Sequence, residues 1–134
     1  MKKSDEYIHN VYGGLHILAD LYKCKNKEIL LDHNVFYEEL VSLIKDSGMN
    51  PFGHLIKYFG EENNSGYTLL IGLEESHVSF HTFPLKEEDE KCAIDVYTCN
   101  ISKDNGNGCR RIFDYIVELF EPEAILNLRF VERS

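Results

Sequence analysis

The chain has 134 residues, of which 43% are hydrophobic and 28% charged, and its formal net charge is −9. This length predicts a single domain over residues 1–134, and the composition is typical of a globular protein. The negative charge argues against nucleic-acid binding, which requires a basic surface. No apolar run is long enough to span a bilayer, and residues 1–6 lack the apolar core of a signal peptide. We therefore expect a cytoplasmic protein without a membrane partner.

The first half of the chain predicts a strand, a helix and a second strand. Residues 15–22 form a mostly apolar run, which indicates a buried strand. Residues 26–47 carry apolar side chains at helical spacing, with Asn34 placed to interrupt or recap the helix and Gly48 to end it. Residues 53–59 are expected to form the second strand.

The second half predicts four more strands and one more helix. The strands are expected at residues 67–71, 76–83, 93–98 and 124–131, and the helix at residues 109–120. Short turns between strands favour antiparallel pairing, and amphipathic helices need a sheet face to cover. The sequence therefore predicts an α/β fold of the α+β type, a two-layer sandwich in which two helices pack on one face of a mainly antiparallel sheet. The other face is expected to meet solvent or another subunit.

The segment 75–84 (Glu-Ser-His-Val-Ser-Phe-His-Thr-Phe-Pro) carries the most chemistry in the chain. On a strand its polar and apolar side chains would point to opposite faces. A serine hydrolase would use Ser76 or Ser79 with His77 or His81 as the base. The chain has no G-x-S-x-G elbow, and such enzymes usually draw their triad from separate segments. Both points argue against a hydrolase.

A metal site is the second interpretation of the same region. His77, His81 and Cys99 have suitable donor atoms, but two histidines four residues apart lie about 13 Å apart on a strand, too far for one ion. The chain has four cysteines and no C-x-x-C pair, which argues against a zinc ribbon. We therefore expect no metal cofactor.

Four blocks of the chain, in order, resemble the prokaryotic S-adenosylmethionine decarboxylase proenzyme family. They are residues 14–24, the pair Ser65-Gly66, residues 75–84 and residues 93–99. The resemblance implies that Ser76 becomes a covalent pyruvoyl cofactor when the chain cleaves itself between Glu75 and Ser76. The products would be a β chain, residues 1–75, and an α chain, residues 76–134.

The resemblance also implies roles in this processing. Ser76 Oγ would attack the Glu75 carbonyl to form an ester, and His81 would take the Cα proton during the elimination that follows. A further hydroxyl would support the oxyanion. Thr68 and Ser65 are the two candidates, and the spacing of eight residues from Ser76 favours Thr68.

In the mature enzyme, the resemblance implies a Schiff base between the substrate amine and the pyruvoyl group, which accepts the electrons released by decarboxylation. Cys99 would be the general acid that reprotonates the substrate carbon. Phe59 and Phe83 would flank the substrate purine, and Glu75 would also contact the substrate.

One position departs from the family, which usually has Glu where this chain has Leu85. A leucine cannot accept hydrogen bonds from a ribose diol. The main prediction remains S-adenosylmethionine decarboxylation in spermidine biosynthesis, by a homodimer with sites at its interface. The alternatives are a pyruvoyl-dependent ornithine or arginine decarboxylase of the same family and a non-catalytic regulatory homologue.

Overall fold

A computed structural model of the chain describes residues 13–101 and 103–133. The strands in this part of the chain are β1 (Gly14–Tyr22), β2 (Pro51–Tyr58), β3 (Tyr67–Leu73), β4 (Ser76–Phe83), β5 (Lys91–Cys99) and β6 (Ala124–Arg133). The α-helices are α1 (Lys27–Leu31), α2 (Tyr37–Asp46) and α3 (Gly106–Phe120), and short 3-10 helices cover His33–Val35 and Lys86–Glu88.

The six strands form one antiparallel sheet in the order β2-β3-β4-β5-β1-β6. The predicted α+β architecture is therefore confirmed. The helices pack on one face, where alternate residues of β1 (Leu15, Ile17, Ala19 and Leu21) are buried. This alternation has the two-residue period that a half-covered strand requires.

The core between the two layers contains an aromatic cluster. The Phe80 ring on β4 lies 5.3 Å from Phe36 and 6.0 Å from Phe120, centroid to centroid. Phe120 is the last residue of α3, and Phe36 joins the 3-10 helix to α2. Because one strand residue touches both helical segments, this cluster fixes the helices against the strand that begins at Ser76.

The helical region predicted over residues 26–47, with a possible break at Asn34, is interrupted in the structure. The segment is divided into α1, a 3-10 helix and α2, and Asp32 has extended dihedral angles between the first two. Its side chain accepts a hydrogen bond of 2.9 Å from the Asn34 backbone N–H. A short acidic side chain of this kind caps a new helical turn better than it continues an old one. The interruption therefore centres on Asp32 rather than on Asn34.

The sheet face opposite the helices, called the open face below, carries no helix in the described part of the chain. Polar and aromatic side chains alternate onto it: Thr68, His77, Ser79, His81, Asp95, Tyr97 and His16. The edge strand β2 leaves large apolar side chains accessible, with Phe52 73% and Leu55 71% exposed. None of the described helices is long and apolar enough to cross a membrane.

The aromatic cluster gives a stability prediction. Phe80→Ala should lower the free energy of unfolding by about 3–5 kcal/mol, because a fully buried ring is lost between two helical segments. Leu31→Ala, at a side chain that is 40% exposed, should cost less than about 1 kcal/mol. Urea denaturation at one protein concentration measures both, and equal losses would contradict the central place of Phe80.

Candidate active site

The bond between Glu75 and Ser76 lies at the tight connection between β3 and β4. Glu74 and Glu75 form the turn, and Ser76 is the first residue of β4. Ser76 has a φ of 155°, a value that non-glycine residues rarely adopt. Backbone strain of this kind costs about 1–3 kcal/mol and concentrates at functional sites. The strained residue is also the one predicted to change chemically.

Both the backbone carbonyl and the side-chain carboxylate of Glu75 accept hydrogen bonds. Its carbonyl oxygen accepts a hydrogen bond of 2.7 Å from the Cys99 backbone N–H. Its carboxylate, in a residue only 7% exposed, accepts from the Asn50 backbone N–H at 2.9 Å and from Asn50 Nδ2 at 3.0 Å. The carbonyl carbon that Ser76 would attack is thereby fixed and polarised by a donor suited to an oxyanion.

Cys99 reaches this position through the register of β4 and β5. Ser76 is paired with Thr98, so that the next residue of β5 faces the turn residue Glu75. Asn105 Nδ2 donates to the Cys99 carbonyl oxygen at 2.9 Å and holds the end of the strand. The thiol is free and partly exposed. The fold thus brings together three of the predicted site residues: Glu75, Ser76 and Cys99.

His81 and Thr68 form a second group on the open face. They are directly paired across β4 and β3, and Thr68 Oγ1 lies 3.1 Å from His81 Nδ1. Ser65, the competing hydroxyl, lies in the loop before β3, where its Oγ is 3.4 Å from Asn64 Oδ1. The contact with His81 therefore favours Thr68, in agreement with the spacing.

The two groups do not meet within one chain. His81 follows Ser76 by five residues on the same strand. At about 3.3 Å per residue their backbones are roughly 16 Å apart, beyond the reach of an imidazole ring. His81 can act on Ser76 only if it comes from a second copy of the chain.

His77, which sequence reasoning left without a role, is the side chain that contacts Ser76. Its Nδ1 lies 3.1 Å from Ser76 Oγ. Burial and the nearby charge of His16 lower the pKa of His77, against a smaller opposing effect of Asp95. His16 Nε2 is itself 2.8 Å from Asp95 Oδ1. The neutral form of the imidazole, which can accept a proton, is favoured.

Phe59 and Phe83 lie on either side of Gly66. Phe59 N–H donates to the Gly66 carbonyl oxygen at 2.9 Å, and extending the Thr68–His81 register by two residues pairs Gly66 with Phe83. The two aromatic residues are therefore two strand spacings apart, roughly 10 Å, with no side chain between them. Gly66 has a φ of 99°, and a Cβ there would collide with the Thr82 carbonyl oxygen. The space over Gly66 between these two residues is called the aromatic slot below.

The slot has a cation at one end and no carboxylate from position 85. Lys91 Nζ lies 5.2 Å from the Phe83 ring centroid and 5.5 Å from that of Tyr22. Leu85 is 40% exposed, and its carbonyl oxygen accepts from the backbone N–H groups of Glu88 and Glu90. This side chain leaves the diol of a nucleoside without the acceptor that the family usually provides.

Comparison with known proteins shows the family of the chain. The family model described as S-adenosylmethionine decarboxylase matches residues 15–134. The chain belongs to this family. It is 38% identical over 118 residues to the S-adenosylmethionine decarboxylase proenzyme of Sulfurihydrogenibium sp. (strain YO3AOP1), covering 84% of this chain and 76% of the relative. It is 34% identical over 124 residues to the proenzyme of Picrophilus torridus, covering 90% of this chain and 84% of the relative.

A solved member of the family has the same fold. The crystal structure of the adenosylmethionine decarboxylase from Aquifex aeolicus VF5 superimposes with a TM-score of 0.72 at 29% identity, covering 92% of each chain. Sequence reasoning did not identify two groups beside the bond between Glu75 and Ser76, the Cys99 backbone N–H and the His77 ring. The first is invisible to side-chain patterns, and the second was signalled only by its adjacency to Ser76.

Proposed function

We propose that this chain is a pyruvoyl-dependent S-adenosylmethionine decarboxylase, a carboxy-lyase that cleaves itself at Glu75-Ser76 and serves spermidine biosynthesis in the cytoplasm. The observation that carries the proposal is the hydrogen bond from the Cys99 N–H to the Glu75 carbonyl, beside a strained Ser76. Relatives of this chain are named S-adenosylmethionine decarboxylase proenzymes. They give no support to a basic amino-acid decarboxylase or a regulatory homologue.

Processing begins when the acyl group of Glu75 is transferred from the backbone nitrogen of residue 76 to Ser76 Oγ. Ser76 Oγ forms a bond to the Glu75 carbonyl carbon, the Cys99 N–H stabilises the oxyanion, and the peptide C–N bond then breaks. The Oγ proton ends on the freed nitrogen of residue 76. Removal of the Ser76 Cα proton by His81 expels the Glu75 carboxylate and leaves dehydroalanine, whose tautomer is hydrolysed to a pyruvoyl group and ammonia.

The residues around Ser76 fit the group that would form there. Position 76 lies at the start of a strand, diagonally across the sheet from Cys99, whose residue is partly exposed. The pyruvoyl group, when formed, supplies the electron sink for loss of the substrate carboxylate. In this proposal Cys99 delivers a proton to the substrate α-carbon, and Phe59 and Phe83 hold the purine.

The proposed enzyme is a homodimer whose sites combine residues of two chains. The separation of Ser76 and His81 supports this, since one strand cannot bring them together. The uncovered open face carries the Thr68–His81 pair and, at the end of β5, Cys99, and it is the surface available for a second copy. In a twofold interface each contact occurs twice, so that each Ser76 would meet the Thr68–His81 pair of the other protomer.

Self-cleavage is tested by mass spectrometry of the purified, denatured protein. The wild-type chain should give two fragments that divide between residues 75 and 76, the second beginning with a pyruvoyl group instead of an amine. Ser76→Ala should remain one chain and release no carbon dioxide from S-adenosylmethionine, because the cofactor has no precursor. Decarboxylation by the Ser76→Ala protein would contradict the proposal.

The composite site is tested with mixed dimers. Chains carrying Ser76→Ala and His81→Ala, with different affinity tags, should each remain intact when expressed alone. In dimers that contain one of each, the site formed by Ser76 of one chain and His81 of the other is complete. Cleavage should therefore appear only in the His81→Ala chain. Intact chains in purified mixed dimers would contradict the composite site.

The substrate assignment is tested at position 85. Leu85→Glu should lower the KM for S-adenosylmethionine by roughly tenfold, since a carboxylate can accept hydrogen bonds from the ribose diol. Leu85→Met is the control without an acceptor. Release of carbon dioxide should be measured from S-adenosylmethionine, ornithine and arginine in parallel. Preference of the wild-type protein for a basic amino acid would contradict the nucleoside substrate.

A further inference from the structure

The described residues include an imidazole in contact with the serine that starts the processing reaction, and the reaction as set out above gives it no task. His77 Nδ1 lies 3.1 Å from Ser76 Oγ. Attack by a serine hydroxyl is slow unless a base accepts its proton within hydrogen-bond distance. His81, the histidine assigned to the later elimination, contacts Thr68 instead.

We propose that His77 is the general base for the first step of self-cleavage, accepting the Ser76 hydroxyl proton as Oγ attacks the Glu75 carbonyl carbon. This inference rests on the self-processing proposed above and adds a second histidine with a separate task. His77 contacts the reacting oxygen of its own chain, whereas His81 would act from the other protomer.

The proton balance of the step follows from the contact. With Nε2 protonated, Nδ1 carries a lone pair and takes the Oγ proton as the Oγ–C bond forms. The imidazolium then returns this proton to the backbone nitrogen of residue 76 as the C–N bond breaks. His77 ends in its starting state, and the Cys99 N–H carries the oxyanion on the other side of the same carbonyl group.

The neighbouring strands place other rings around His77, whose side chain is exposed. His77 is paired with Gly72 on β3 and with Tyr97 on β5, and Tyr97 is paired with His16 on β1. A Cβ at Gly72 would collide with the ring of Phe52, which shows that this ring lies over the glycine. His77 therefore lines one wall of a mainly apolar cavity of about 340 Å³.

The charged and titratable groups around His77 come from three strands. On β5, the Tyr97 ring lies 6.0 Å from the His77 ring, and Asp95 is bonded to His16. On β1, His16 lies 6.4 Å from His77, and on β2, His54 lines the same cavity. Burial, and to a smaller extent the electrostatic effect of His16, lower the pKa of His77 below its usual value, against an opposing effect of Asp95. His77 is then a neutral base at physiological pH, and protonation below that range removes its function.

The test follows cleavage over time in freshly translated full-length protein, by denaturing gel and mass spectrometry. His77→Asn keeps an oxygen or nitrogen close to the position of Nδ1 but cannot take up a proton. It should slow cleavage by roughly 100-fold or more. His54→Asn is the matched control, since His54 lines the same cavity and has no hydrogen bond to Ser76. It should cleave at the wild-type rate.

Hydroxylamine separates the two histidines, because it cleaves esters and leaves amides intact. The His81→Ala chain should accumulate the ester and yield two fragments when hydroxylamine is added. The double variant His77→Asn/His81→Ala should yield few, because the ester does not form. In the His81→Ala chain the rate of ester formation should fall at acidic pH, where the His77 imidazole becomes protonated. This measurement leaves residue 77 unchanged.

Two outcomes would overturn the role of His77. One is wild-type cleavage by His77→Asn with unchanged pH dependence, and the other is ester accumulation in the double variant at the His81→Ala rate. Should His77→Asn fail to fold, as judged by thermal unfolding, a pH-independent rate of ester formation in the His81→Ala chain still contradicts the proposal. An intact wild-type chain under all conditions would instead refute self-processing itself, and the role of His77 with it.

Discussion

The hydrogen bond from the Cys99 N–H to the Glu75 carbonyl oxygen connects the fold of this protein to its chemistry. It exists because β4 and β5 are antiparallel and pair Ser76 with Thr98. A slip of one residue would exchange the faces of every side chain on β4 and remove the Cys99 N–H from the carbonyl. Burial of apolar side chains stabilises the observed register. Val78 and Phe80 are fully buried on the helix side, and the slip would expose them.

The loop between β4 and β5 is held by contacts outside the sheet. Residues 84–90 pass through a 3-10 helix, and the backbone N–H groups of Lys23 and Cys24 donate to the carbonyl oxygens of Asp89 and Glu90. Lys27 Nζ adds an ion pair of 2.7 Å with Glu90. The loop can therefore be long without loosening the pairing that positions Cys99. Leu85 belongs to this loop. We therefore expect a substitution at position 85 to alter the end of the aromatic slot without shifting the register of β4 and β5.

The sequence predicts the sheet well because its inner strands β1, β3 and β5 alternate between a buried and a more accessible face, a pattern that local residues determine. It predicts the helical region less well, because Asp32 competes with the helix through its own side chain, and the apolar spacing of residues 26–47 does not reveal that competition. The candidate site likewise has a part that the sequence predicts and a part that it does not. Ser76, His81 and Cys99 are recognisable by residue type and order, whereas the backbone donor to Glu75 depends on a pairing between distant strands.

The distribution of histidines over β4 explains how one strand can serve two proton transfers. His77 and His81 share the open face, yet they are about 13 Å apart along the strand and cannot act on one atom from one chain. His77 contacts Ser76 of its own chain because the two residues are adjacent. Only a second copy of the chain can bring His81 to the same serine. A monomer could then form the ester but not eliminate it. Ester formation and elimination would be separated by dimerisation, so that the irreversible step occurs only where the complete site for the substrate has been assembled.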